Sequence, residues 1–292
     1  MHNLFHHPFN VLSFAAQQRR LGVSTALIII TKVTGGTMRA YGAMMCVTPT
    51  DVAGYVSNGC VDADIVFQAR ELLKTGGVKY VHYGEGSPFK DISLPCGGQI
   101  HLLISTKLGE IDFETMALDM GMRRAVELKI EASLITYTPP LRIRILGKGE
   151  AVRALSRQAI SAGFPVVLQS PDPQISAGLS VSHFDHLTDP ATPPQMRDDP
   201  WTAVVVMFHD HDWEPYILAQ ACRGPAFYIG AMGSTHTHDL RRAALKANGL
   251  RQDEIDRVSG PIGLIGSMRD ANLLALSTLA EVIDRAQKDG IL

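Results

Sequence analysis

The run Ala203-Val-Val-Val-Met-Phe208 constrains the fold more than any other stretch. Near-continuous branched apolar residues suit a strand only when both of its faces are buried, as in a parallel sheet with helices on each side. The surrounding segments supply such a sheet. Residues 142–146 read as a strand, Gly147-Lys148-Gly149 as a turn, and 151–162 as a helix stopped by Gly163. A second strand over 165–168, closed by Ser170-Pro171-Asp172, completes a βαβ unit. Residues 185–200, rich in Pro, Asp and Thr, read as a loop. Beyond the central run come a helix over 213–223, a strand over 226–229, and helices over about 237–248 and 270–287. Residues 139–292 are therefore expected to form a Rossmann-like, doubly wound domain.

Thr138-Pro139-Pro140 marks a linker, since consecutive prolines forbid either regular element. Before it the pattern is different. A helix over 10–21 ends at Gly22, and 25–30 is a β-rich, buried run. Strands over 44–48 and 52–57 are joined by a hairpin turn. Asn58-Gly59-Cys60 breaks the second of these, and apolar spacing predicts a helix over 61–73. Further strands are expected over 78–83, 99–106 and 132–138, with a helix over 112–129. Residues 1–138 thus read as an α+β domain rich in strands, and the chain as α/β overall.

Bulk properties exclude several classes. Lys and Arg number 27 against 29 Asp and Glu, for a formal net charge of −2, and no basic stripe suits nucleic acid. The longest apolar runs, such as 26–30, are too short for a bilayer, and the N-terminus lacks the pattern of a signal peptide. With 46% hydrophobic residues the chain reads as a soluble globular protein. Four cysteines without paired spacing read as reduced thiols of a cytoplasmic protein.

Several residues could carry chemistry. Gly147-Lys-Gly-Glu-Ala-Val152 satisfies G-x-G-x-x-G at Gly147 and Gly149 but has Val152 at the third position. It reads either as a phosphate-approaching turn, with Asp172 placed to meet a ribose, or as a plain strand-to-helix turn. The first option motivates an NAD(P)-dependent oxidoreductase. Phe208-His-Asp-His-Asp-Trp-Glu-Pro215 begins where the central strand ends, the rim at which such sheets bind ligands. His209 and Asp210 are candidate pocket residues, metal binding is a second option, and Asp212 could cap the next helix. The glycine loops holding Gly230, Gly233 and Ser234, and 260–266, offer backbone amides to an anion. Cys46 and Cys222 sit in apolar periodic settings and read as buried small hydrophobes. Cys60 and Cys96 differ, because each adjoins glycine: Gly59-Cys60 and Cys96-Gly97-Gly98. If Cys60 opens the helix over 61–73, the helix dipole favours its thiolate. Arg39 is a candidate cation for the same pocket. Two structural loop cysteines remain the alternative to a functional pair.

The motifs GGTMRAYGAMM, GYVSNGC and LPCGGQI, followed by VVVMFHDHDWEP, AFYIGAMGSTHTHDLR and GPIGL, resemble in that order the XdhC/CoxI family. The resemblance implies an accessory protein that binds the molybdenum cofactor (Mo-molybdopterin) as cargo. It implies support for exchange of an oxo for a terminal sulfido ligand with a cysteine desulfurase, and delivery to an apo molybdenum hydroxylase of the xanthine dehydrogenase type. Carried over residue by residue, the family's thiol motifs fall on Cys60 and on Cys96, Gly97 and Gly98. Both sulfurs are then candidate metal ligands, and a homodimer is one assembly open to the chain. The glycine loop with a basic residue falls on Gly35, Gly36, Thr37 and Arg39; Thr37-Met38-Arg39 stands where the family often has Ser-x-Pro.

Overall fold

The computed structural model describes residues 2–3 (backbone), 7–87, 97–192, 194, 197–208, 212–266 and 268–292. The chain divides into two compact units, Met1–Pro139 and Pro140–Leu292. The first is built on a mixed sheet of β1 (His2–Asn3), β2 (Ala26–Thr34), β3 (Met44–Val47), β4 (Val52–Gly54), β5 (Val78–Tyr83) and β6 (Gln99–Ser105). The strand order is β1-β4-β3-β2-β6-β5. Residues 26–30 of β2 are buried because helices cover both faces. On one face, α1 (Pro8–Arg20) and α3 (Phe113–Gly121) set Val11, Leu12 and Phe113 in one core with Leu27, Ile29 and Leu103. On the other, α2 (Asp62–Thr75) sets Ile65 and Ala69 with Ile28, Ile30 and Leu102.

The helix expected over 112–129 is corrected. It stops at Gly121, the chain turns through Arg123 at φ 65°, and β7 (Val126–Ile130) pairs with β8 (Ser133–Tyr137) as a separate hairpin. In β7, Val126, Leu128 and Ile130 are buried while Glu127 and Lys129 are exposed. That alternation of period two outweighs the helical reading.

The second unit comprises β9 (Arg142–Gly147), α4 (Glu150–Ser161), β10 (Val166–Ser170), β11 (His183–His186), β12 (Thr202–Met207), α5 (Glu214–Arg223), β13 (Tyr228–Ala231), α6 (Thr235–Ala247), α7 (Gln252–Ile255), β14 (Val258–Ser259) and α8 (Ala271–Lys288). All strand pairings in its sheet are parallel. The order β11-β10-β9-β12-β13-β14, counted from β9 as one, is 3-2-1-4-5-6, the Rossmann arrangement. Every residue of β12 is buried, as its sequence requires. One core packs this sheet with α4 and α8, and another with α5, α6 and α7. The loop expected over 185–200 begins with the last two residues of β11, which pairs with β10 as the outer strand.

Two buried ion pairs tie loops of this unit to its framework. Arg144, fully buried in β9, donates to Asp198 Oδ2 at 2.6 Å and to Gln169 Oε1 at 3.0 Å, fastening the long connection between β11 and β12. Arg241 of α6 grips both carboxylate oxygens of Glu214 at 3.0 Å and donates to the Met232 carbonyl at 2.6 Å. Asp212 does not cap α5: Trp213 occupies the cap position with no side-chain bond, and Glu214 turns inward to Arg241. Arg241 is 4% exposed and Glu214 3%. Glu214→Ala leaves a buried cation unmatched, so urea unfolding is expected to show a loss of about 3–5 kcal/mol.

Candidate functional site

In the first unit, strand direction decides which loops meet. β3 and β6 run antiparallel to β2, β4 runs antiparallel to β3, and β5 antiparallel to β6. The C-terminal ends of β2, β4 and β5 therefore share one edge of the sheet. From that edge leave the segments holding Gly35, Gly36, Thr37 and Arg39, then Gly59 and Cys60, and the β5–β6 connection that ends in Gly97 and Gly98. Cys96 lies outside the described residues.

Gly98 fastens the first and the last of these segments together. A Cβ on Gly98 would stand 2.0 Å from the Gly36 carbonyl oxygen, and one on Gly84 would stand 2.5 Å from the Gly98 carbonyl oxygen. Three backbones thus meet with no room for a side chain. Gly97 and Gly59 behave differently, since a Cβ on either would meet open space. Of the two glycines expected to admit a ligand beside Cys96, Gly97 has the room and Gly98 is consumed by packing. Arg39 belongs to the same rim. Its guanidinium lies 4.8 Å from the ring centroid of Tyr55, the residue that leads from β4 into the Cys60 loop.

Cys60 does not open the helix. α2 begins at Asp62 with Val61 at its cap, so the thiol stands ahead of the first turn. Four of the loop's amides are satisfied internally. Asp62 Oδ1 accepts the N–H groups of Val56 and Ser57 at 3.0 Å each, and Oδ2 accepts that of Gly59 at 2.6 Å. Ser57 Oγ accepts the Val61 N–H at 2.9 Å. Asp62 is a residue that sequence reasoning missed; the signal was an acid immediately after the glycine-cysteine break. The thiols also separate by burial. Burial pushes Cys46 up to about 12 and Cys222 to about 11, so both stay protonated at neutral pH, whereas Cys60 is exposed. Among the described residues no three His, Cys, Asp or Glu side chains form a metal-binding group.

In the second unit, a cleft of about 520 Å³ opens at the carboxyl ends of the strands beside the switch between β9 and β12, with Phe208 in its lining. Three helices begin at it: α4 contributes Glu150 and Ala151, α6 its preceding Gly233 and its Thr237, and α8 Asp270 and Ala271. Helix N-termini carry partial positive charge, and the lining adds Arg269 but also the carboxylates of Glu150 and Asp270. Two of the three ends are already capped. Ser234 Oγ accepts the Thr237 N–H at 3.1 Å, and Asp270 accepts those of Asn272 and Leu273 at 2.9 and 3.0 Å. α4 is capped only by Gly149, which has no side chain to offer.

The remaining expected residues fall unequally. Gly147 is a packing glycine: its Cβ would stand 2.4 Å from the Met207 carbonyl oxygen and 2.9 Å from Val152 Cγ2. Val152 is itself fully buried beneath the turn. Gly230 lies inside β13, where a Cβ would stand 2.5 Å from the Tyr228 hydroxyl and 2.8 Å from Ile262. Asp172 accepts the Gln174 N–H at 2.9 Å in a local turn. The amides of the 260–266 loop, expected to meet an anion, are drawn to α8 instead. Gly263 N–H donates to Glu281, and Ile265 N–H to Ser277 Oγ at 2.7 Å. His209 and Asp210 lie outside the described residues.

Fold and rim together define a two-unit α/β class, a mixed sheet bearing an exposed thiol joined in sequence to a Rossmann unit. A family model described as the XdhC and CoxI family matches residues 18–84, and one described as the XdhC Rossmann domain matches 143–282. The chain belongs to the XdhC and CoxI family. It is 30% identical over 293 aligned residues to the molybdenum cofactor insertion chaperone PaoD of Escherichia coli K12, covering 93% of this chain and 86% of that protein. The uncharacterized protein YqeB of the same organism is 19% identical, over 94% of this chain and 46% of its own length. A crystal structure from Bacillus halodurans described as a xanthine dehydrogenase shares the fold, with a TM-score of 0.75 at 18% identity over 96% of each chain.

In the folded Cys96→Ala protein at neutral pH, a thiol reagent is expected to modify Cys60 and spare Cys46 and Cys222, read by peptide mass spectrometry. Gly98→Ala forces the rim loops apart and is expected to cost about 1–3 kcal/mol in urea unfolding. Gly59→Ala faces open space and pays only for its positive φ, about 1 kcal/mol.

Proposed function

We propose that this protein binds the molybdenum cofactor as cargo, supports its sulfuration with a cysteine desulfurase, and hands it to an apo molybdenum hydroxylase of the xanthine dehydrogenase type. The observation that carries the reading is the exposed Cys60 on a rim shared with Arg39 and Gly97, while Cys46 and Cys222 are buried. A soft thiolate suits a molybdenum centre, and the sequence places a second one, Cys96, beside Gly97. The 30% identity to a molybdenum cofactor insertion chaperone supports cofactor handling as the task. An exposed rim also suits a carrier that must release what it holds. Arg39 supplies a cation and Gly97 the room for an anionic ligand to approach.

The cleft with three helix N-termini favours a second reading, a dinucleotide-dependent oxidoreductase. Against it stand Val152 filling the third glycine position and Asp172 engaged in its own turn. Expression in a cofactor-competent host, followed by assay of bound molybdenum and pterin, separates the two. The wild type is expected to carry both, and Cys60→Ala with Cys96→Ala to lose most of the molybdenum. Unchanged content in the double variant rejects the thiol role, and saturable NADH or NADPH binding promotes the second reading.

A further inference from the structure

Lys32, His101 and His82 lie in one row across β2, β6 and β5, each the direct cross-strand partner of the next. Directly opposed residues of antiparallel strands share a face, so the three side chains leave the sheet on the same side. A bulge puts Lys32 there. The register shifts between Ile30 and Lys32; without that extra residue Lys32 would follow Ile30 onto the face that α2 covers. Val33, one residue on, packs with the α2 core, as the shifted alternation requires.

Among the described residues the row has no acidic partner. The imidazole rings of His82 and His101 stack at 5.4 Å, and His82 Nε2 donates to the Gly86 carbonyl at 2.9 Å. Among the described residues, neither the Lys32 ammonium nor the His101 ring has a hydrogen bond or an ion pair. Burial first, then the neighbouring His82 and Lys32, lower the proton affinity of His101. Three groups able to carry positive charge thus stand together, with no acid between them among the described residues. The row also adjoins the glycine rim, since the next pair on the same face toward the strand ends is Thr34 with Gln99, beside Gly35 and Gly98.

We propose that Lys32, His101 and His82 form a binding row for a phosphate monoester. Resting on the cargo reading above, the ligand it would take is the phosphate of the pterin tail. A phosphate oxyanion supplies the counter-charge that the described residues do not, and ammonium and imidazole N–H groups are its natural donors.

The test follows histidine ring nitrogens by NMR in the full-length protein, at about pH 6, near the ordinary imidazole value. His82→Gln and His101→Gln assign the signals. Inorganic phosphate is expected to shift both rings saturably, with chloride at matched ionic strength leaving them unmoved. Lys32→Gln, at an exposed position, is expected to weaken phosphate about tenfold, the worth of one charge-assisted contact, and Lys32→Arg to restore it. Absence of a saturable shift, or equal affinity in Lys32→Gln, overturns the site. A second arm measures co-purified pterin. Less pterin in Lys32→Gln than in the wild type ties the row to the cargo, and equal content overturns that tie. A wild type without pterin defeats the cargo reading, while the phosphate titration still decides the row by itself.

Discussion

Burial of residues 26–30 of β2 and of all of β12 on both faces leaves these two central strands able to meet water only beyond their buried runs. Backbone N–H and C=O groups inside such a sheet are spent on neighbouring strands, so polar chemistry collects where the ladders stop. In the second unit that place is the cleft beside the β9–β12 switch, where three helices also begin. In the first it is the edge at which β2, β4 and β5 end together. Each unit reaches the same outcome by a different topology. Parallel crossovers align the strand ends in one, and alternating antiparallel turns gather loops from distant sequence in the other.

What could be read from the chain follows from how local each signal was. The run Ala203–Phe208 dictates its own burial, and the βαβ pattern before it carries its glycine turn in sequence, so β9, β10, β12 and β13 were legible, while the short outer strands β11 and β14 were not. β7 was misread because Val-Glu-Leu-Lys-Ile follows directly on a helical stretch, and its partner β8 decides its state. Arg144 and Arg241 look like surface cations in sequence, and nothing local reveals that Asp198 and Glu214 meet them in the interior. The rim was half legible. Glycines beside cysteines marked the loops, but the contact of Gly98 with Gly36 exists only once β6 pairs with β2.

The glycines show how one residue type answers different demands. Gly98, Gly147 and Gly230 are small because another backbone or a core side chain occupies the space. Gly59 and Gly97 are small with nothing in front of them and a backbone turned to positive φ. The eroded fingerprint takes its meaning from the same distinction. Val152 shows that the first helix of the Rossmann unit can settle on its strand through an apolar side chain where the motif has a third glycine.

Asp62 has a consequence for how the Cys60 loop meets anything that binds there. Its carboxylate already occupies the cradle of amides from Val56, Ser57 and Gly59, so the loop is ordered before a guest arrives. A guest at the sulfur therefore pays little entropy to organise the loop and finds the amides of Val56, Ser57 and Gly59 already engaged. Both effects favour fast exchange over long residence: arrival meets a preformed surface, and departure breaks few contacts.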